Sequence, residues 1–250
     1  MNLLNETDPR NEFVVASPTS LQRMTLIGHL AELRRRLVFS IVAVVVGTMG
    51  AYAFVDDLMR FVVAPAGRLY FMSPAEGFFA YLKLAVIAGF MVALPAVLWQ
   101  VWRFVAPALT SREKKWGLAL VPGFLILFLF GVVFAYTLVW PAAVKFFLGF
   151  GNESLMPMIS LGQYLSFLLS FILPFDAIFN LPLLLLALAK LGIISSAGLA
   201  KQRKMMIVGS FIVGGIITPT PDVFTQTMMA MPIILFYEAS IWAVKLLLRR

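Results

Sequence analysis

The fold class is decided by residues 116–140, which read WGLALVPGFLILFLFGVVFAYTLVW. This run of 25 residues contains no charged side chain, and a tryptophan stands at each end. A membrane-spanning helix needs about 20 apolar residues, and tryptophan is enriched where such a helix meets the two surfaces of the bilayer. The run therefore predicts a transmembrane helix and places the chain among membrane proteins.

The composition of the whole chain supports this class. Hydrophobic residues make up 61% of the 250 residues and charged residues 13%, and the mean hydropathy is +0.94. An ordinary soluble domain is about 45–50% apolar and about 25% charged. The absence of cysteine excludes a disulfide scaffold and a cysteine-ligated metal site. The net charge of +8 is informative mainly through where the basic residues lie along the chain. We expect no nucleic-acid partner.

Five further apolar segments predict an all-α integral membrane protein with six transmembrane helices. The fifth segment has 14 residues, which cover only about 21 Å of a hydrocarbon core about 30 Å thick. We expect the fifth and sixth helices to be short. Residues 1–20 lack the apolar core of a signal peptide and predict a mobile cytoplasmic tail before a membrane domain of residues 21–250. The expected spans are residues 37–55, 84–102, 116–140, 164–189, 205–218 and 227–244.

The loops between these segments differ sharply in basic charge. The segments on one side hold 16 Lys and Arg residues, and the segments on the other side hold 4. Cytoplasmic loops carry the excess of basic residues in membrane proteins. The distribution therefore predicts that both termini lie in the cytoplasm.

The sequence offers few residues for catalysis. His29 is the single histidine, and it precedes the first span among charged residues. No zinc-protease, nucleophile-elbow or phosphate-loop motif is present, and no carboxylate cluster has metal-ligand spacing. We therefore expect neither an enzyme nor a bound cofactor or metal ion.

Residues 21–36, LQRMTLIGHLAELRRR, place apolar side chains at helical spacing before the first span. They predict an amphipathic helix at the cytoplasmic surface of the membrane. Glu32 is a lone acid beside Arg34, Arg35 and Arg36. Its carboxylate either pairs with Arg36 one helical turn away, a contact worth about 0.2–0.5 kcal/mol, or is presented to a cationic ligand. The residues alone favour the pair.

The loop after the second span, residues 100–116, reads QVWRFVAPALTSREKKW. Pro107 is expected to end the helix near the membrane surface. Glu113 is again a lone acid among bases, and the excess of cytoplasmic basic residues gives no reason for it. Phe104, the proline bend and Glu113 form a small recognition surface in one interpretation. In the simpler one, Glu113 is a solvated loop charge.

The fourth expected span carries Asp176 and Asn180, which lie on one helix face because they are four residues apart. A carboxylate at mid-membrane costs about 2.5–3.5 kcal/mol on insertion scales, so Asp176 is expected to face a cavity, water or a partner. In the alternative, Asp176 is protonated and forms a structural hydrogen bond with Asn180. In the last span, Glu238 is expected to pair with Lys245.

Residues 218–226, TPTPDVFTQ, form the expected outer turn between the last two spans. Pro219 and Pro221 predict an extended backbone. Asp222 is suited to cap the next helix through its free N–H groups. The side-chain amide of Gln226 needs a partner at the start of the last span.

Five longer strings and the six-span layout with a cytoplasmic N terminus are informative together. The strings are HLAELRRRL (29–37), LPAVLWQVWRFVAPALTSREKK (94–115), FAYTLVWP (134–141), SFLLSFILPF (166–175) and KQRKMMIVGSFIVGGIITPTPDVFTQTMMAMP (201–232). In this order, and on the expected sides of the membrane, they resemble the TatC family. Members of this family are multispanning receptors of the twin-arginine protein translocase. The resemblance covers about residues 25–250.

The resemblance implies a concave, glove-like bundle that binds the paired arginines of signal peptides on folded cargo at the cytoplasmic face. Glu32 and Glu113 match the two family acids implicated in this recognition. Carboxylates suit the role because each accepts two charge-assisted hydrogen bonds from one guanidinium group. Neighbouring positions that match the family and are expected to support this site are Arg34, Phe104, Pro107 and Leu109.

The match to the family is imperfect in the fourth span. The groove carboxylate of the family falls at Asn180, and Asp176, one turn earlier, is the candidate to replace it. Pro65 and Pro95 match structural prolines in the first outer loop and the second span.

The resemblance also implies partners. Thr218, Asp222 and Gln226 match the region where a partner helix docks. The expected partners are single-span subunits of the TatA and TatB type, the lipid bilayer and further copies of the chain. The resemblance places this homo-oligomeric complex in the bacterial cytoplasmic (inner) membrane, where the proton-motive force drives export.

A secondary transporter or channel is the competing interpretation, because intramembrane ionisable residues such as Asp176 mark ion pathways. The two halves of the chain, residues 1–125 and 126–250, show no internal repeat, which transporters commonly have. Capture of an Arg-Arg signal peptide distinguishes the two interpretations.

Overall fold

The computed structural model describes residues 26–150, 158–218 and 222–248, and its regular structure is helical over these ranges. Residues 1–20 lie outside the described residues, as do Pro219 and Pro221, so the predicted tail and extended turn are not described. The helices are α1 (Leu26–Tyr52), α2 (Val55–Val63), α3 (Pro74–Val105), α4 (Ser111–Phe134), α5 (Trp140–Leu148), α6 (Leu161–Lys190), α7 (Ser196–Lys201), α8 (Arg203–Ile217) and α9 (Val223–Leu248).

The long helices have the apolar character of membrane spans. Among the described residues, four helical stretches are long and apolar enough to cross a membrane, and they begin at Pro74, Ser111, Leu161 and Val223. The pair of α1 and α2, bent by 79°, is a fifth candidate. Helix α8 has 15 residues and is about 22 Å long at a rise of about 1.5 Å per residue. The chain is therefore an all-α integral membrane protein, and six spans remain a prediction.

The last helix corrects two expectations. Helix α9 has 26 residues, so the expectation of a short sixth helix is wrong. Glu238 and Lys245 lower the hydropathy of this segment, which is why the sequence predicts a shorter helix. Glu238 forms an ion pair with Arg203 of α8, whose Nε lies 2.8 Å from Glu238 Oε1. Lys245 lies over the Trp242 ring instead, at 5.8 Å from the centroid. The expected pair of Glu238 with Lys245 is therefore wrong.

The third expected span is part of a longer helical run. Helix α4 continues through a π-helical turn, Ala135–Val139, into α5. Pro141 lies in the first turn of α5, and a proline has no N–H to continue the α-helical hydrogen bonding. By contrast, α3 and α6 run without interruption through Pro95 and through Pro174 and Pro182.

Helix α6 is the centre of the bundle. It packs against α4 and α9, while α1 packs on α3 and α8 on α9. Its buried face carries Leu165, Leu168, Phe171 and Phe175 at the three- and four-residue spacing of one helix side. Trp140 of α5 is also fully buried in this core. The core therefore fixes the position of α6 relative to the helices that carry the candidate site.

Hydrogen bonds tie the start of α3 to the start of α6. The Glu76 carboxylate accepts from the backbone N–H groups of Met72, at 2.6 Å, and Gly162, at 2.7 Å. It also accepts from the Ser160 hydroxyl. Pro65 lies nearby in sequence, within the 3₁₀ turn Ala64–Ala66 that follows α2. This end of the bundle is the one expected to face away from the cytoplasm.

Candidate functional site

Two contacts hold the first half of α1 against the last turns of α3. The His29 ring stacks on the Phe104 ring, with 4.4 Å between centroids and 23° between planes. Arg36 Nη1 donates to Gln100 Oε1 at 3.2 Å. These contacts bring the predicted residues Glu32 and Phe104 to the same end of the bundle, which is the end expected to face the cytoplasm. The two contacts link residues far apart in sequence, and sequence analysis missed both.

Glu32 is partly buried and ion-paired. Its Oε1 accepts from Arg36 Nη2 at 3.1 Å, and both side chains are less than a fifth exposed. This is the i,i+4 pair that the sequence favours. The second carboxylate oxygen, Glu32 Oε2, is buried with no hydrogen-bond partner among the described residues, and so is Arg36 Nε. The Glu32–Arg36 pair can therefore accept one more hydrogen bond through Glu32 Oε2 and donate one more through Arg36 Nε.

Glu113 lies in the first turn of α4, ahead of the apolar run that starts at Trp116. Its Oε2 accepts from the Thr110 backbone N–H and hydroxyl, both at 2.8 Å, and the Thr110 hydroxyl accepts from the Glu113 N–H at 3.5 Å. This reciprocal arrangement is a capping box. The bond from the Thr110 N–H, and then that from its hydroxyl, lowers the pKa of the Glu113 carboxyl below its usual range. The pattern Thr-x-x-Glu, which sequence analysis overlooked, is its local signal.

The connection between α3 and α4 carries the other predicted residues. Pro107 lies in a 3₁₀ turn, Ala106–Ala108, and the backbone becomes extended at Leu109 before α4 begins. Phe104 stands two residues before this turn, and Arg34 is exposed on α1. The structure thus brings Phe104, Pro107, Leu109 and Glu113 into one short segment, which contacts α1 through the His29 ring.

An apolar groove of about 440 Å³ lies between α3, α4 and α6. Leu109 and Glu113 stand on its wall together with side chains such as Trp102 and Leu184. Lys190, at the end of α6, places its Nζ 3.1 Å from the centroid of the Trp116 ring. A cation over an aromatic face is attracted by the ring quadrupole. The groove therefore combines an apolar wall with one acid and one base.

Asp176 and Asn180 share a face of α6, as the sequence predicts, but their exposures differ. Asp176 is 3% exposed and lies against Gly131 of α4, whereas Asn180 is half-buried. Asn180 Nδ2 donates to the Asp176 backbone carbonyl at 2.8 Å. Both carboxylate oxygens of Asp176 lack a hydrogen-bond partner among the described residues, as does Asn180 Oδ1. Asp176 therefore lies in the contact between α4 and α6.

Thr218, Asp222 and Gln226 lie where α8 ends and α9 begins. Asp222 Oδ1 accepts from the Thr225 N–H at 2.8 Å, which is the capping contact that the sequence predicts. Gln226 Nε2 donates to the Phe211 carbonyl of α8 at 2.8 Å. Thr218 is buried. The side-chain amide of Gln226 thus has the partner that its position requires, and it joins the two helices.

The chemistry that this arrangement offers is binding. Carboxylates stand at the expected cytoplasmic end, an apolar groove lies beside one of them, and a helix junction with polar side chains lies elsewhere. Among the described residues, no group of three or more His, Cys, Asp or Glu side chains could hold a metal ion.

Comparisons with known proteins agree on one family. The family model described as Sec-independent protein translocase protein (TatC) matches residues 28–232. The chain is 42% identical to a TatC protein of Carboxydothermus hydrogenoformans, over 89% of this chain and 93% of that one. It is 40% identical to the TatC protein of Aquifex aeolicus, over 91% and 97%. A crystal structure of the twin-arginine translocase receptor TatC superposes with a TM-score of 0.78 at 40% identity, over 89% of this chain and 100% of the other.

Proposed function

Because the chain belongs to the TatC family of Sec-independent protein translocase proteins, we propose that it receives the twin-arginine signal peptides of folded cargo. The paired arginines bind at the end of the bundle formed by α1, α3 and the start of α4. Glu32 and Glu113 are their carboxylate acceptors, and Arg34, Phe104, Pro107 and Leu109 shape the surroundings. The activity is that of a receptor and translocase core rather than of an enzyme.

The observation that carries the proposal is the unused hydrogen-bonding capacity of Glu32. Its Oε1 already binds one guanidinium group, that of Arg36, and its Oε2 is buried without a donor. Leaving a buried acceptor unsatisfied costs about 1–3 kcal/mol. A signal-peptide arginine offers five N–H donors in a planar fork, so it can satisfy Oε2 once the Glu32 side chain turns outward. A lysine offers a compact point charge and should bind less well.

Glu113 supports the proposal in a second way. Its bonds to Thr110 fix the orientation of the carboxylate before a ligand arrives. The apolar groove beside it suits the apolar segment that follows the basic residues of a signal peptide. Charge and shape therefore favour a ligand that carries arginines next to an apolar stretch.

The proposal includes partner subunits of the TatA and TatB type, which dock near Thr218, Asp222 and Gln226. Helix α8 is short and exposes large apolar side chains, including Met205, at 72%, and Ile216, at 77%. A short span thins the bilayer or recruits a partner. A partner helix along α8 would cover these side chains. In this proposal the assembly is homo-oligomeric, lies in the bacterial cytoplasmic membrane with both termini in the cytoplasm, and is driven by the proton-motive force.

Site-specific photocrosslinking in native membranes tests the receptor function. A photoreactive residue replaces Leu33 or Arg112 in turn, each exposed and next to one of the two acids, and the probes are labelled signal peptides that carry Arg-Arg or Lys-Lys. We expect crosslinks to the Arg-Arg peptide that are lost with Lys-Lys. In parallel, Glu32→Gln and Glu113→Gln should each weaken Arg-Arg peptide binding about tenfold or more, as loss of a charge-assisted contact does.

Glutamine keeps the size of each side chain, and it also serves in a capping box, so Glu113→Gln separates the charge from the helix cap. The matched control is Asp57→Asn on α2, whose side chain is exposed at the other end of the bundle and pairs only loosely with Arg60, at 3.6 Å. Unchanged affinity in both glutamine variants, with no crosslink to either peptide, would overturn the proposed site.

A further inference from the structure

Three buried oxygen atoms on one face of α6 have no hydrogen-bond donor among the described residues. They are Asp176 Oδ1, Asp176 Oδ2 and Asn180 Oδ1, and all three are buried without a donor. An ionised carboxylate here would be an unpaired charge in an apolar interior, which is far costlier than an unpaired neutral group. An ionised Asp176 therefore requires a positive partner.

Helix α4 covers the carboxylate with backbone. A Cβ on Gly131 would lie 3.0 Å from both Asp176 Oδ1 and Asp176 Cα, so the missing side chain allows the two helices to touch. The neighbouring Phe134 and Phe175 rings are 5.9 Å apart between centroids and add only apolar surface. The α4 side of the contact therefore brings no donor side chain to Asp176.

Charged groups on α4 and on α6 itself are distant from Asp176. Tyr136, in the π-helical turn, donates its hydroxyl hydrogen to the Phe61 carbonyl at 2.7 Å. Tyr164 and Lys190 of α6 are 12 and 14 residues away, or about 18 and 21 Å along the helix. The charged residues of α4 lie at least 16 residues before Gly131, about 24 Å along the helix: Arg112, Glu113, Lys114 and Lys115.

Helices α3 and α9 also pack against α6, and their titratable side chains are held elsewhere. Tyr81 packs on the apolar core, and Arg103 stands in the last turn of α3. The others have partners of their own: Glu76 with Ser160, Lys83 with Ser166, Tyr237 with the Leu199 carbonyl, Glu238 with Arg203, and Lys245 over Trp242. Among the described residues, no cation from any packed helix neutralises Asp176.

We propose that Asp176 and Asn180 form a proton-binding site in the membrane core. Asp176 takes up one proton from solution and becomes a neutral carboxylic acid, whose O–H donates to Asn180 Oδ1. Release of that proton leaves the carboxylate, and no other bond is made or broken. Half-buried Asn180 connects the site to the protein surface, and the site stands apart from the proposed receptor function.

Carboxyl-selective spectroscopy of the protein in lipid bilayers tests this site. The chain has five aspartates, so incorporation of aspartate with a ¹³C-labelled carboxyl gives a simple spectrum that separates carboxylic acid from carboxylate. At pH 7 we expect one carboxylic acid signal, which Asp176→Asn removes and the exposed control Asp57→Asn retains. Asn180→Leu should shift the signal, because it removes the acceptor of the acid.

A second protein keeps the test decisive if Asp176→Asn does not fold. It carries Asp8→Asn, Asp56→Asn, Asp57→Asn and Asp222→Asn, so that Asp176 is its single aspartate. A carboxylate signal for Asp176 at pH 7 would overturn the proposal. If that signal moved on exchange of sodium for potassium, the site would bind a metal cation instead of a proton.

Discussion

At the level of single residues, Glu32 and Glu113 are both lone acids among bases, yet different bonds hold them. Glu32 binds the Arg36 guanidinium, so its charge is partly neutralised before any ligand arrives. Glu113 binds an N–H and a hydroxyl of Thr110, and no cation among the described residues forms an ion pair with it. A cationic ligand therefore shares one acid with Arg36 and meets an unpaired charge at the other.

The Glu113 capping box makes a pH-dependent contribution to stability. Because its bonds to Thr110 lower the pKa of Glu113 below the usual 4.5 in the folded protein, the unfolded chain binds more protons between the two values. Stability due to this group is complete above that range and is lost as the pH falls through it. We expect the thermal midpoint in detergent to fall more steeply below about pH 4.5 in the wild type than in Glu113→Gln. Parallel curves would contradict this.

Local patterns were predictable from the sequence, and long-range pairs were not. The caps at Asp222 and Thr110 involve residues three positions apart, so the sequence contains the whole pattern in each case. The partner of Glu238 is Arg203, 35 positions earlier, and no local spacing could indicate it. The burial of Asp176 likewise depends on a glycine in another helix.

At the level of helices, α1 and α3 approach each other through a pair of glycines. A Cβ on Gly47 would lie 2.5 Å from the Gly89 carbonyl oxygen, and a Cβ on Gly89 would collide with the Thr48 backbone. Such close approach is typical of helix contacts in membranes, where small residues let backbones meet. The contact fixes α1, and therefore Glu32, relative to the α3 residues beside it.

Gly89→Ala tests this contact. The added methyl group meets backbone, which cannot rotate away, so we expect a loss of about 1–3 kcal/mol in stability from overpacking and a lower thermal midpoint in detergent. Gly50→Ala is the matched control on α1, because nothing lies within 4 Å of its Cβ position. That variant should gain about 0.5–1 kcal/mol from helix propensity. Equal midpoints for the two variants would show that the glycine contact does not determine the packing.

Helix lengths were less predictable than helix positions. The hydropathy pattern predicts too short a last helix because it counts Glu238 and Lys245 as polar. In the structure Glu238 is ion-paired and Lys245 lies over an aromatic ring. The hydropathy pattern also misses the bend of 79° between α1 and α2 and the π-helical turn between α4 and α5. These features depend on backbone geometry, to which apolar periodicity is insensitive.

At the level of the whole molecule, the structure separates two polar ends by an apolar bundle. Glu76 ties α3 to α6 at one end, and the cluster of Glu32, Arg36 and Gln100 ties α1 to α3 at the other. The basic residues concentrate at the second end, where the positive-inside rule places the cytoplasm. The proposed receptor function requires this orientation, since signal peptides of folded cargo approach from the cytoplasm.

The orientation can be measured directly because the chain has no cysteine to remove. Single cysteines replace exposed residues of the two ends, with Asp57→Cys and Arg68→Cys at one end and Arg112→Cys and Lys201→Cys at the other. In intact cells, a membrane-impermeant maleimide should label the first pair and reach the second pair only after the membrane is permeabilised. The reason is the basic charge asymmetry, which sets the orientation during insertion. Labelling of position 112 in intact cells would reverse the orientation and place Glu113 on the side that cytoplasmic signal peptides cannot reach.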